Sequence, residues 1–331
     1  MSLLVLNEDE LRQTVTLPEA ITAVESAFTA LAENRLHRPG HFTLDMPEGK
    51  SKVEVEGSYL SQIPYYIIRV NSSFHQAYQL DLPSPSGLTL VFEANSGHPI
   101  ALLVDNGYIS QLRAGAAGAL AARYLANPTL NRVAVIGSGR QAYIQLKSLM
   151  MDRSIGLVSV WGRSPLHVDS YARRMVEDHD LNIEIAPSPE AAVRLADLVI
   201  TATSSQEPLL KADWLKPGVH INAVGSNHPD KQELHVDVLQ RAEVIIADKL
   251  DQGMAAGEIH HALNAGVITP QQIQGELGDL IKGKIPGRTH PDQITVADLT
   301  GVEVQDTVIA TLAMEKALFL GLGQRVESPL L

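Results

Sequence analysis

The chain has 331 residues, 45% apolar and 19% charged, with a formal net charge of −12. That size and composition predict one or two soluble globular domains and exclude a disordered chain, and a negative balance without any Lys/Arg-rich run argues against nucleic acid as a partner. The absence of cysteine excludes disulfides, thiolate metal sites and cysteine nucleophiles, and fits a reducing compartment.

The opening MSLLVLNEDELRQTV turns acidic where a signal peptide needs a basic start and a longer apolar run. No stretch reaches the roughly 18–20 uninterrupted apolar residues of a membrane span, so a cytoplasmic protein without a membrane partner is expected. The first expected element is a helix over 18–33. After it FTLDMP, SKVEVEGSYL, YYIIRVN, GLTLVFEA and PIALLV read as strands, with turn signals such as PEGK and ANSGHP between them. They predict a mainly antiparallel, meander-like region. SQLRAGAAGALAARYLA, 110–126, is a helix rich enough in Ala and Gly to let another backbone approach, and reads as the bridge between domains.

From about 130 to 250 the pattern changes. RVAVIG, LVSVWG, NIEIA, DLVITAT, VHINAVG and AEVIIAD alternate with the helical stretches RQAYIQLKSLMM, PLHVDSYARRMVEDH and SPEAAVRLA. Strand and helix in alternation predict an α/β fold, a Rossmann-type doubly wound parallel sheet covered on both faces. LDQGMAAGEIHHALNAG reads as one further helix. VEVQDTVIATLAMEKALFLG, 302–321, reads as a last helix that can return to the first region. The expected domains are therefore 1–115 with 302–331, an α+β unit, and 116–301, the parallel-sheet unit.

The run VAVI enters Gly137-Ser138-Gly139-Arg140-Gln141-Ala142, a G-x-G-x-x-A, and a helical pattern leaves it. Gly137 serves the tight turn, Gly139 leaves room for a pyrophosphate at the helix N-terminus, and Ala142 keeps helix and strand close. Strand before and helix after supply the context that a weak motif needs. Gly137, Ser138, Gly139, Arg140 and Gln141 are the expected phosphate contacts. An NAD site calls for an acid at the end of the second strand, to hold the ribose 2′-OH, and here that strand ends in Gly162-Arg163-Ser164. Arg163 and Ser164 can hold a 2′-phosphate instead, so NADP(H) is the preferred cofactor, with NAD(H) open if Arg163 only faces solvent. Thr203 and Ser204 in TATSS, and Val224 in INAVG, fall at the carboxyl edge of the sheet, where ligands bind in open α/β folds. They are further expected cofactor contacts, although hydroxyls capping a turn would look the same.

These pieces resemble the ornithine cyclodeaminase/mu-crystallin family. The resemblance rests on DLPSPSGLTLVFEANSGHPIALLVDNGYISQLRAGAAGALAARYLA, VAVIGSGRQAYIQL, INAVGSNHPDKQELH, GELGDLIKGKIPGR and ITVADLTGVEVQD, and runs almost end to end. DMPEGKSKVEVEGSYL and LLVDNGY look closest to the branch associated with ectoine utilisation. It implies that the leader and the last helix form a substrate-binding and dimerisation domain of a homodimer, with the NAD(P)-binding Rossmann domain inserted. Family members convert ornithine to proline with loss of ammonia, oxidise alanine, or reduce cyclic imino acids such as Δ1-pyrroline-2-carboxylate. The implied partner is therefore a small amino or imino acid.

Carried over by position, Arg113 in SQLRAGAA matches the family arginine that holds the substrate carboxylate, a role suited to a guanidinium fork. Glu56 in VEVEGSY falls where ornithine cyclodeaminases carry a functional glutamate; alternation puts it on the face of Glu54, and a polar outer face would look the same. Two departures stand out. Where the family has a catalytic lysine, YIIRVN offers Arg69, or Ile68 if the alignment shifts by one. Where cyclodeaminases have an aspartate, GSNHPDKQEL offers Asn227. Neither Arg69 nor Asn227 can exchange a proton in the ordinary way, which cuts against cyclodeamination. Reduction of a preformed iminium asks less, because fixed charge at Arg69 and Arg113 can position it for hydride.

His228, beside Asn227, can be the missing proton donor or a loop histidine in solvent; His75 carries a weaker version of the same case. Thr300 and Gly301 match a family stretch near the nicotinamide and substrate, and Gln305 and Asp306 follow; Asp306 can also simply favour the first turn of the last helix. Adjacent helical histidines point about 100° apart, so His260 and His261, beside Glu258, predict no metal site. The sequence thus predicts an NAD(P)(H)-dependent reductase of a small cyclic imino acid, or the reverse amino-acid oxidation. An ornithine-type ammonia lyase and a low-turnover NADP-dependent binding protein are the alternatives.

Overall fold

The computed structural model describes residues 2–38, 42–46, 51–74 and 86–327. Its chain divides into two units, one of Met1–Arg113 with Glu303–Leu331 and one of Ala114–Val302.

The first unit opens with β1 (Ser2–Asn7), α1 (Glu8–Arg12), α2 (Leu17–Ala32), β2 (Leu36–His37), β3 (Phe42–Met46), β4 (Ser51–Leu60), β5 (Tyr65–Phe74), β6 (Ser86–Glu93) and β7 (Pro99–Val104), then α3 (Tyr108–Leu125), which continues past the division. The helix α2 forms because Leu17, Ile21, Val24, Phe28 and Leu31 recur every three or four residues and bury one face. Its start is fixed by Glu19, whose carboxylate accepts from the Thr16 amide at 3.0 Å and the Thr16 hydroxyl at 2.7 Å. β4, β5, β6 and β7 make the expected antiparallel meander, and β2 and β3 pair with β4. The register sets Glu56 opposite Arg69, and Arg69 opposite Thr89. Opposed residues share a face, so these three side chains stand on one side of the sheet. The sequence reading missed β1, which alternates buried Leu4 and Leu6 with outward neighbours and lies parallel to β7.

The second unit continues as β8 (Leu130–Ile136), α4 (Arg140–Leu149), β9 (Ile155–Trp161), α5 (Pro165–His179), β10 (Ile183–Ile185), α6 (Pro189–Val193), β11 (Leu198–Thr201), β12 (His220–Ala223), α7 (Val236–Arg241), β13 (Val244–Ala247), α8 (Leu250–Ala255), α9 (Gly257–Asn264), β14 (Gly275–Glu276), α10 (Leu277–Ile281) and β15 (Thr295–Asp298). The sheet is parallel throughout, in the order β10-β9-β8-β11-β12-β15-β13-β14. Val133 and Val135 enter one apolar cluster and Ala134 and Ile136 another. Successive residues of β8 are thus buried on opposite faces, as a sheet covered on both sides requires. Strand order reverses between β8 and β11, which marks the carboxyl edge there as the place for a ligand.

Two features depart from expectation. ITVAD forms β15 and lies between β12 and β13. The stretch expected as one helix breaks into α8 and α9 at Gly257, whose φ of 90° no helix accepts. A Cβ there would lie 2.7 Å from the Asp298 carboxylate.

The chain then returns to the first unit as α11 (Glu303–Leu320) and β16 (Gln324–Glu327). α11 packs against α2, helped by an ion pair of Lys316 with Glu19 at 2.7 Å, and β16 pairs antiparallel with β1. Among the described residues no helix is long and apolar enough to cross a membrane.

Candidate functional site

The candidate residues form two constellations, one in each unit. In the second, β8 ends at Ile136 and the chain turns through Gly137, whose φ is 118°. A Cβ on Gly137 would meet the Ala202 carbonyl oxygen at 2.5 Å, so the fold itself demands glycine there. Gly139 differs. Its φ is −90°, open to any residue, and an added Cβ would meet nothing in the chain within 4 Å. Gly139 is also the N-cap of α4, and no side chain caps that helix start. Uncapped first-turn amides, a positive helix end and a missing side chain together suit a pyrophosphate. The residues present therefore fit the phosphates of a dinucleotide.

The end of β9 lies against this turn. Gly137 donates its amide to the Trp161 carbonyl at 2.8 Å, and a Cβ on Gly162 would come within 3.1 Å of Ser138 Oγ. Arg163 is exposed just beyond. Ser164 N-caps α5, accepting from the His167 amide at 3.4 Å. Arg140, the first residue of α4, is exposed as well, while Gln141 is half-buried.

Across the switch point, the loops after β11 and β12 are drawn together by Glu233. Its carboxylate accepts from the Thr203 amide at 2.5 Å and the Gly225 amide at 2.8 Å. Thr203 Oγ1 accepts from the Ser205 amide at 3.1 Å, so this hydroxyl does cap a turn; Ser204 is exposed beside it. Val224 donates its amide to the Thr201 carbonyl at 3.0 Å. Asn227 accepts from Lys231 Nζ at 2.9 Å. His228 Nδ1 accepts from the Asp230 amide at 3.4 Å, and its side chain is 43% exposed. Farther along the edge, Thr300 Oγ1 donates to Asp248 at 3.0 Å and the Gly301 amide donates to the same carboxylate.

Behind these loops lie further buried acids. Glu258 accepts from the amides of Glu233 and Leu234 at 2.8 and 3.1 Å, and Asp298 accepts from that of Ile259 at 2.9 Å. Burial, reinforced by the neighbouring carboxylates, pushes Glu258 well above the usual range and Asp298 up to about 8; burial also raises Glu233.

In the first unit Arg69 is 1% exposed. Its guanidinium donates to Asp105 at 3.0 Å, Thr89 at 2.8 Å and Asn71 at 3.0 Å, and lies 3.7 Å from Asp306. Burial pulls against its charge, but Asp306, Asp105 and Glu56 outweigh that and hold it firmly cationic. Asp306 in turn lies 3.2 Å from Arg113 and accepts from Ser110 at 3.3 Å. Arg113 also donates to Gln305 at 2.9 Å, and its side chain is 17% exposed. Two arginines and two aspartates thus alternate in a row, with Arg113 at the more open end. Asp306 stands in the first turn of α11, yet its carboxylate faces the arginines.

Glu56, Arg69 and Arg113 therefore belong to one constellation, and Ile68, on the opposite face of β5, does not. Sequence reasoning missed Asp105. Its signal was the Asp-Asn-Gly turn before an apolar helix, where Asn106 and Gly107 have φ of 47° and 82° and Asp105 accepts from the Ile109 amide. Glu233 was visible only as part of DKQEL. His75 lies outside the described residues. His260 is bonded to the Met254 carbonyl at 2.9 Å and His261 to the Lys231 carbonyl at 2.7 Å.

Comparison with known proteins gives the chain its family. The model of the ornithine cyclodeaminase/mu-crystallin family matches residues 2–319. A protein of Sinorhizobium fredii named as an uncharacterized cyclodeaminase is 37% identical, with 98% of each chain covered. An archaeal alanine dehydrogenase dimer with bound NAD superposes with a TM-score of 0.92 at 31% identity, covering 99% of both chains. The Δ1-pyrroline-2-carboxylate reductase of Thermococcus litoralis, in complex with NADH and L-proline, gives a TM-score of 0.92 at 28% identity, covering 98% of this chain and 100% of that one.

Proposed function

This chain belongs to the ornithine cyclodeaminase/mu-crystallin family, and from that premise we propose that it is a nicotinamide-dependent oxidoreductase that reduces a small cyclic imino acid or oxidises the corresponding amino acid. The observation that carries the proposal is the row Arg113–Asp306–Arg69–Asp105. It offers a partly open arginine for a carboxylate but, at the position of the family lysine, a sealed cation that cannot lose a proton.

The residues divide the work. Arg113 binds the substrate carboxylate and is aimed by Asp306 and Gln305. Arg69 acts through Asp306, as a positioning residue, rather than on the substrate. Glu56, on the Arg69 face, contributes negative charge toward an iminium. Gly137 to Gln141 would hold the dinucleotide phosphates, and Thr203, Ser204 and Val224 its further end. When bound, the nicotinamide gives a hydride to the imine carbon or takes one from the amine carbon. The iminium already carries its proton, so reduction requires no acid from the chain.

NADP(H) is the preferred form, on the strength of exposed Arg163 beside Ser164 where an acid would select NAD; the similar structures named above carry NAD or NADH. A homodimer is proposed by analogy with the dimeric relative, and the cytoplasm by the lack of cysteine. The identity with a protein named as an uncharacterized cyclodeaminase favours one second reading, ammonia loss from ornithine with His228 as the proton donor. A coupled test separates the two. Purified protein is offered NADPH with Δ1-pyrroline-2-carboxylate, and separately ornithine with NAD under an ammonia assay. Consumption of NADPH without ammonia release is expected. Ammonia from ornithine without net change of cofactor would establish the second reading, and silence in both would leave either another substrate or a binding protein.

A further inference from the structure

Glu233, Glu258 and Asp298 are each at most 1% exposed, and each accepts hydrogen bonds from the main chain, with the Thr201 and Thr203 side chains adding to those on Glu233. They form a relay. Asp298, at the end of β15, holds the first turn of α9 through Ile259. Glu258, in that turn, holds the chain at Glu233 and Leu234. Glu233 reaches past both to the amides of Thr203 and Gly225, in the loops after β11 and β12. Burying three carboxylates is unfavourable unless each is well hydrogen-bonded, so the arrangement is an unfavourable one for packing alone. The two loops are also as close as backbones come. A Cβ on Gly225 would lie 2.3 Å from the Thr203 carbonyl oxygen and 2.5 Å from the Glu233 carboxylate.

We propose that Glu233 is a positioning residue for dinucleotide binding: by accepting both amides it sets the spacing of the two loops that flank the switch point, and Glu258 and Asp298 hold it in place. This rests on the dinucleotide reading above. A single carboxylate bridging two N–H groups cannot be replaced by an amide, because glutamine would turn its NH2 against one of them. A methylene fewer, as in aspartate, would leave one loop unreached.

The test uses the full chain. Affinity for NADPH and NADH is measured by titration calorimetry for wild type, Glu233→Gln and Glu233→Asp, together with KM for the imino acid and thermal unfolding. Loss of one charge-assisted hydrogen bond predicts a rise in dinucleotide Kd of roughly 10-fold or more, with KM for the imino acid changed less than about twofold. A purely structural glutamate would lower Tm in both variants and leave Kd unchanged, which would overturn the proposal. If Glu233→Gln does not fold, Glu258→Gln, which keeps one acceptor for the amides of 233 and 234, reports the same split in weaker form; an unchanged Kd there is equally adverse. Failure of wild type to bind either dinucleotide would instead sink the dinucleotide reading itself.

Discussion

Replacement of Arg69 by methionine removes the cation on which the first unit's buried charges depend. Asp105, 0% exposed, is left with the Ile109 amide, and Asp306 keeps Arg113 and Ser110. Breaking a buried pair by deleting one partner costs about 3–5 kcal/mol, a large share of a total stability of roughly 5–15 kcal/mol. The loss carries a pH signature. Burial already holds the Asp105 carboxyl above its usual range, and without Arg69 it rises further, so stability present in acid is lost as pH climbs through the folded-state value. Arg69→Met is therefore expected to be more damaging at pH 8 than at pH 5. Urea unfolding followed by far-UV circular dichroism reads both units, whereas the two tryptophans, Trp161 and Trp214, both report on the second. The dichroism transition is expected to extend to lower urea while the fluorescence midpoint moves less. Adding Asp105→Asn should restore at least about 1 kcal/mol, since removing both partners of a buried pair is far cheaper than removing one. A loss below about 1 kcal/mol at both pH values, or a double variant no better than the single one, would refute the account of Arg69 as the fixed centre of this cluster.

Three other outcomes are expected. Gly139→Ala should leave unfolding unchanged within about 0.5 kcal/mol while weakening dinucleotide binding, whereas Gly137→Ala should fail to fold stably; equal binding by wild type and Gly139→Ala would remove the phosphate from this turn. Arg163→Ser should lower the ratio of NADPH to NADH affinity by about tenfold or more, the worth of a charge-assisted hydrogen bond, and no change in that ratio would leave Arg163 a solvent residue. His220 is buried between Thr295 and Asn222, and burial, with Arg288 nearby, depresses it from 6.5 to about 3. It is thus neutral in the fold, and the stability it contributes is complete above pH 6.5 and lost as pH falls toward 3, on the order of 4–5 kcal/mol at most; tryptophan-detected unfolding of His220→Gln should show a flatter acid limb, and an unchanged limb would contradict the assignment.

The sequence revealed most of what periodicity and turn chemistry control. β8 to β13 are short β-branched runs with punctuation at both ends, and the phosphate turn is legible because strand, glycines and helix follow one another locally. Long-range placement was not legible. β15 is only Thr295–Asp298, and nothing within four residues says that they insert between β12 and β13. The break at Gly257 was hidden because a helix tolerates glycine; the carboxylate that leaves no room for a Cβ there, Asp298, is some forty positions away. In the first unit, Arg113 could be identified from its motif, but its orientation depends on Asp306, and Arg69 reads as a lost lysine until Asp105 is seen across the sheet. Charges that explain one another across the sheet or from separate elements leave no local trace.

The pairing of Ser2 with Glu327 also bears on the order in which the two units can be completed. As the chain leaves the ribosome at about 5–20 residues per second, β1 waits on the order of 15–60 s for β16. The second unit, continuous in sequence, can close before then. The first cannot, because α11 supplies the wall on which α2 packs and the carboxylate that aims Arg113. A chain truncated before Glu303 would keep its nucleotide turn and its relay of buried acids while lacking Asp306. Such a chain would leave the apolar face of α2 that packs on α11 uncovered, the kind of transiently exposed surface that chaperones bind.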